Sequence, residues 1–248
     1  MNNNKNQTFT CSGINSAIAI VESKSLSIKN IFLLKNGKAE KNKILKRILL
    51  KHSVKYLDKN IFNKKFHNGK NQGIIVKFSG LLIQNEIPKF TDKGNICLLA
   101  LDQIEDPQNF GQIIRTVECA GFDGIIYSKH SSVSLTSTVL QVSQGAFVNM
   151  KFYEVTNLRN QFKKLKNNNF WIVGLENSTQ AKPWYTIKYD GNIVIVLGSE
   201  GNGIRQKVME SCDFIATIPM QGITNSLNVS AAASAIAFER LRQQLKQK

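Results

Sequence analysis

Five apolar runs in the second part of the chain constrain its fold more than any other feature. They are "NICLLALD", "DGIIYS", "FWIVGLE", "NIVIVLG" and "DFIATIP", each dense in Ile, Val or Leu, and helical patterns lie between most of them. A strand with one wet face alternates apolar and polar residues, whereas near-continuous apolar runs mark strands covered on both faces. Such strands separated by helices predict a parallel α/β sheet. In sheets of this kind ligands settle beyond the carboxyl ends of the strands. The loops that follow the runs are therefore where chemistry is expected.

The first part reads differently. "GINSAIAIVES" is a short apolar-periodic helix and "NIFLLK" a strand. "AEKNKILKRILLKH" is an amphipathic helix with Ile44, Ile48 and Leu49 on its apolar side. "VKYLD" is a strand, residues 58–66 a short helix and "GIIVKFS" a strand. Residues 9–79 are thus expected to form a small α/β domain. Residues 80–94, with Pro88 and Gly94, read as a linker, and 95–248 as the larger domain. Residues 1–8, polar and Asn-rich, read as a disordered tail.

Charge divides the chain in the same way. The net charge is +16 over 248 residues. Residues 1–91 hold 17 Lys and Arg against 4 Asp and Glu, a balance of +13; residues 92–248 hold 16 against 13, a balance of +3. A genome biased toward Lys and Asn would raise lysine, but here acids are missing from one part alone. That asymmetry points to a polyanion partner for the first part.

Other classes are disfavoured. No apolar run approaches the ~18 residues of a membrane span, and the N-terminus has no signal-peptide core; a cytoplasmic protein is expected. Cys11, Cys97, Cys119 and Cys212 are widely spaced without a C-x-x-C pair. His52, His67 and His130 lack ligand spacing, so no metal site is expected.

Three loops carry the functional reading. The first follows "LLALD" and holds Asp106, Pro107, Asn109 and Arg115. Asn109 is placed to cap the helix after Pro107. Arg115 is the sole arginine between Arg47 and Arg159 in a lysine-rich chain, which suggests a need for a planar fork of donors, as for phosphate; a plain helix-surface arginine is the other reading. The second loop, after "NIVIVLG", holds Gly198, Gly201 and Gly203 with Glu200 between them. Its G-x-x-G-x-G spacing is neither a P-loop nor a dinucleotide fingerprint. The third, "QGITNSLN", leads into an alanine-rich final helix. Ser226 or Asn225 could cap that helix, which leaves Asn228 unexplained.

Together the loops resemble the three motifs of the SpoU/TrmH family of the SPOUT superfamily, which are S-adenosylmethionine-dependent RNA 2′-O-methyltransferases. "DPQNFGQIIRTVECAG", "IVIVLGSEGNGIRQKVMESCDFIATIPM" and "NSLNVSAAASAIAFE" are similar to them in order and spacing. The resemblance covers residues 95–245 strongly. Residues 9–79 resemble, more weakly, the RNA-binding substrate domain of the RlmB-like branch. Asn15 departs from it, where many relatives carry His.

The resemblance implies a trefoil-knotted parallel sheet, although chain connections are ordinarily unknotted. It implies S-adenosylmethionine bound at Gly198, Ile218, Met220 and Leu227, with Leu175 and Gly203 beside them. It implies a homodimer with a shared active site, and RNA as partner, ribosomal before transfer RNA, with neither DNA nor a membrane. Arg115, Asn109, Glu200, Ser226 and Asn228 are then the catalytic set, with Asn109 and Glu200 orienting Arg115. The target implied is a guanosine of large-subunit ribosomal RNA. An RNA-binding assembly factor without catalysis is a different outcome of the same motifs. A nucleotide-dependent Rossmann enzyme is disfavoured by the absent G-x-G-x-x-G after the first strand.

Overall fold

The computed structural model describes residues 7–66, 71–90, 94–178 and 181–246. The chain divides into two compact units, Met1–Leu82 with Leu135–Asn149, and Ile83–Ser134 with Met150–Lys248.

In chain order the first unit contains β1 (Thr8–Ser12), α1 (Ile14–Glu22), β2 (Ser27–Leu34), α2 (Lys43–Leu49), β3 (Val54–Leu57), α3 (Lys59–Phe66) and β4 (Ile74–Ser79). The sheet order is β1-β4-β2-β3. β4 runs antiparallel to β1 and β2, and β3 parallel to β2. Ile20, Ile31, Leu45, Phe62 and Phe78 are buried. Two expectations change here. The tail read as 1–8 overlaps β1 at Thr8, and residues 1–6 lie outside the described set, as does His67. In α2 the buried pair is Leu45 and Leu49, while Ile44 is 54% exposed. Asn42 sets this phase by capping the helix through a bond from Leu45 N at 2.9 Å.

The chain continues through β5 (Ile83–Gln84), β6 (Cys97–Asp102), α4 (Pro107–Cys119), β7 (Gly124–Ser128) and α5 (Ser137–Val142). β8 (Phe152–Val155), α6 (Leu158–Lys166), β9 (Phe170–Leu175) and β10 (Lys182–Pro183) follow. The last elements are β11 (Asn192–Gly198), α7 (Gln206–Met209), β12 (Phe214–Thr217) and α8 (Val229–Leu245). The sheet order is β10-β12-β9-β11-β6-β7-β8-β5, and every pairing is parallel. All five predicted strands are present, and β6 is buried along its whole length. From β6 the chain steps outward through β7 and β8, then returns to the other side of β6. The reversal between β6 and β11 is the topological switch point where a crevice opens.

Two parts of the domain reading are corrected. The stretch read as a linker supplies β5, which pairs with β8 at Ile83↔Phe152 and covers what would otherwise be an open edge. Residues 135–149, assigned by sequence to the larger domain, group with the first unit. Phe147 is buried there with its ring stacked on Phe78 at 5.9 Å, and Asn15 Nδ2 donates to Gln144 Oε1 at 3.4 Å. Among the described residues no helix is long and apolar enough to cross a membrane, and no cluster of His, Cys, Asp and Glu could hold a metal ion.

Candidate active site at the carboxyl edge of the sheet

The site begins with how α4 starts. Asp106, rather than Asn109, caps it, accepting from Gln108 N at 2.9 Å and Asn109 N at 3.4 Å, with Pro107 in the first turn. Phe110, Ile113, Ile114 and Val117 form the buried stripe of an amphipathic helix. Relieved of capping, Asn109 is 6% exposed and turns to the neighbouring loop. Its Nδ2 donates to Glu200 Oε1 at 2.7 Å.

α8 completes the arrangement. Its cap is Asn228, whose Oδ1 accepts from Ser230 N at 2.9 Å and Ser230 Oγ at 2.6 Å. The other half of the same amide, Nδ2, donates to Asn109 Oδ1 at 3.1 Å and also to Glu200 Oε1. Asn109, Glu200 and Asn228 are thus one hydrogen-bonded group contributed by the first turn of α4, the loop after β11 and the cap of α8. Small residues let α8 approach α4 closely, with Ala233 and Ala237 fully buried. The seam between the helices is polar: Ser230 Oγ lies 2.9 Å from the side-chain amide of Gln112, and the Thr116 and Ser234 hydroxyls are 3.3 Å apart.

The loop after β11 is held by its backbone and by two acids. Ser199 and Gly203 exchange both backbone bonds, at 3.1 and 2.9 Å. A Cβ on Gly198 would lie 2.0 Å from Gly203 C, so only glycine lets the loop fold back onto the strand end. Gly203 has φ +62°, and a Cβ there would meet Glu176 Oε2 at 2.3 Å. Glu176 Oε2 accepts from Ile204 N at 2.7 Å. Asp102, at the end of β6, is 0% exposed and accepts from Arg205 N at 2.9 Å, Nε at 2.9 Å and Nη2 at 2.6 Å. Buried acids persist only when paired in this way. Sequence reasoning missed Asp102, Arg205 and Glu176. The signal was available: both acids end apolar strand patterns, where an acid needs a partner.

Between these loops lies a cavity of about 390 Å³. Leu175, Gly198, Gly203, Ile218, Met220 and Leu227 all line it, with Glu176, Glu200 and Ser226. Asn177 Nδ2 donates to Asn225 O at 3.0 Å and ties the loops after β9 and β12 together across one wall. Ser226 is exposed in the loop before α8. Arg115 is placed elsewhere. It is exposed on α4, does not line the cavity and has no side-chain partner among the described residues. Asn109 and Glu200 bond to each other and to Asn228, and do not orient it.

Residues 97–238 match the SpoU rRNA Methylase family. A Staphylococcus aureus (strain COL) protein assigned to the TrmH family of tRNA/rRNA methyltransferases is 42% identical over 151 residues, which are 61% of this chain and 60% of the relative. The chain thus spans about 60% of the length of the curated relatives it matches. The SpoU methyltransferase AviRb from Streptomyces viridochromogenes superposes with TM-score 0.82 at 16% identity, covering 97% of this chain and 91% of that one. A second structure of AviRb holds the cofactor AdoMet. An RNA 2′-O ribose methyltransferase superposes with TM-score 0.81 at 20% identity, over 96% of this chain and 89% of that one. The fold is therefore the α/β fold of these methyltransferases, with a parallel sheet in the second unit and a smaller domain before it. With more than half of its residues matched by one family description, this chain belongs to the SpoU rRNA methylase family.

Proposed function

We propose that the chain transfers the methyl group of S-adenosylmethionine to a ribose 2′-hydroxyl of structured RNA. The observation that carries this reading is the Asn109–Glu200–Asn228 group at the edge of a cavity sized for a nucleoside cofactor. Its 390 Å³ falls within the roughly 300–1,000 Å³ of small-molecule sites. The lining fits the group. Leu175, Ile218, Met220 and Leu227 offer apolar surface to an adenosine, and the carboxylates of Glu176 and Glu200 suit a cationic ligand. When bound, S-adenosylmethionine supplies a sulfonium methyl; the protein supplies placement.

Glu200 commits Oε1 to both asparagines, which leaves Oε2 available at the cavity edge to accept from a ribose hydroxyl. Ser226, exposed on the cavity rim, offers a second polar contact. Arg115 acts as a charged clamp. Its guanidinium, a planar fork of donors with no acceptor, holds a phosphate and stabilises a developing alkoxide. Because Arg115 stands outside the cavity of its own chain, we assign it to the site of a second copy in a homodimer. The target in our reading is a guanosine of large-subunit ribosomal RNA, in the manner of the RlmB-like branch. The basic first part of the chain, +13 over residues 1–91, supports a large folded RNA. Transfer RNA is the second reading, in keeping with the name of the Staphylococcus relative.

The test is methyl transfer from tritiated S-adenosylmethionine to total RNA from cells lacking the protein. Label is expected at one 2′-O-methylated guanosine of large-subunit ribosomal RNA. Label in tRNA would select the second reading. Cofactor binding without label in any RNA would make the chain an RNA-binding assembly factor. Arg115→Lys is expected to bind the cofactor normally and lose most transfer, since lysine lacks the fork.

A further inference from the structure

The carboxyl edge of the sheet carries a second concavity that the proposed chemistry does not use. It is a groove of about 630 Å³ beyond β7 and β8, bordered by α6. Lys129, Lys163 and Lys164 line it, with the amides of Asn85, Asn157 and Asn160 among its walls. Glu154 is its one acid among the described residues. None of the three lysines has an ion pair among the described residues. Lys166, on the same helix, is neutralised by Asp213 at 2.7 Å and does not line the groove. Among the described residues, ion pairing is thus present elsewhere on α6 and absent from the groove lysines.

Register fixes where the groove lies. Gly198 pairs with Asp102, Leu101 with Tyr127, and Ser128 with Val155, so the strand ends of β11, β6, β7 and β8 form one row. The cavity sits over β9 and β11, and the groove over β7 and β8. Three strand spacings separate them, about 14 Å. Over β6, between the two, lies a hollow bordered by Glu105, Asp106 and Glu200. That acidic stretch repels phosphates and favours their settling beyond it, where the lysines stand.

We propose that this groove binds the phosphate–ribose backbone of RNA flanking the target nucleotide, as a second RNA contact surface carried by the methyltransferase unit itself. The inference rests on the RNA-modifying reading above. Lysines supply phosphate contacts, and asparagine amides donate to and accept from ribose hydroxyls. Such contacts position a strand without reading its sequence.

The experiment uses the full chain and two triple variants of equal charge change. One is Lys129→Gln, Lys163→Gln, Lys164→Gln. The control is Lys151→Gln, Lys182→Gln, Lys188→Gln, whose lysines are exposed outside the groove. Binding to an oligouridine of about 20 nucleotides is measured across salt concentrations, where each lost phosphate contact lowers the log–log slope by roughly 0.7. The groove variant is expected to lose about 2 from the slope and at least tenfold in affinity. The control is expected to change by less than threefold, and S-adenosylmethionine affinity should stay at the parent value in both. Equal loss in the two variants, or none in the groove variant, would overturn the proposal. Failure of the parent to methylate any RNA, with the groove effect intact, would instead count against the methyltransferase reading and leave an RNA-binding groove in place.

Discussion

Asn228 does two jobs with one side chain. Its oxygen caps α8 and its nitrogen bonds Asn109 and Glu200. The two can be separated by substitution. Asn228→Ala loses both and is expected to cost about 1 kcal/mol from the cap alone. Asn228→Ser keeps a capping oxygen but has no second donor for Glu200. Its melting temperature should stay within a few degrees of the parent, and single-turnover methyl transfer should fall by about 100-fold, the scale of a lost active-site donor. A full transfer rate in Asn228→Ser would reduce the residue to a helix cap. Ser226 provides the contrast. It is exposed and its hydroxyl has no bond among the described residues, so Ser226→Ala should shift stability by less than about 0.5 kcal/mol. A fall in transfer with unchanged melting would place its hydroxyl on substrate or cofactor.

At the scale of elements, α8 is fastened at both ends. Toward its C-terminus Glu239, 8% exposed, accepts from Arg242 Nε and Nη2 at 2.7 Å each and from Gln243 Nε2 at 2.8 Å. Gln243 Nε2 also donates to Ile187 O at 3.0 Å, joining the helix to the segment before β11. The hydrogen bonds from Arg242, and then from Gln243, hold the Glu239 carboxyl below its ordinary range against the opposing cost of burial. A carboxyl lowered by folding contributes stability that is whole above its unfolded pKa, near 4.3, and is lost as pH falls through the folded value. Melting temperature should therefore drop more steeply below about pH 4.3 in the parent than in Glu239→Gln. Parallel acid limbs would remove Glu239 from the account. The sequence made the strands and motif loops of this region legible, because Ile- and Val-rich runs bounded by Gly and Asn have few other readings. Which residue capped which helix was not legible. Asp106 and Asn109, like Asn225, Ser226 and Asn228, are all competent caps, and tertiary partners decide among them. Asp102 and Glu176 were readable as acids ending apolar strands. Their partners, Arg205 and the amide of Ile204, were not, since both arrive from the loop after β11, which becomes their neighbour only through strand pairing.

At the scale of the whole molecule, a linear pass along the sequence could not detect the excursion of residues 135–149. Its short helix and apolar residues suit either unit, and only packing assigns Phe147 to Phe78. This changes how the role of the basic first part should be tested. Deleting residues 1–82 alone would remove the ring beneath Phe147 and the Asn15 partner of Gln144. The excursion would be left exposing an aromatic side chain that is 0% exposed in the intact chain, and burying such a side chain is worth about 1.5–3 kcal/mol. The simple truncation is therefore expected to associate, seen as added mass in light scattering. A second truncation, with 135–149 also replaced by a Gly/Ser bridge, should remain monodisperse and bind S-adenosylmethionine with the parent affinity, because every residue lining the cavity lies in the second unit. Its affinity for RNA should fall and its salt dependence flatten, as phosphate contacts of the first part are lost. If the simple truncation stays as monodisperse as the bridged one, the excursion does not depend on the first unit for its cover. If the bridged chain binds RNA as the parent does, the lysine excess of residues 1–91 is composition without a binding role.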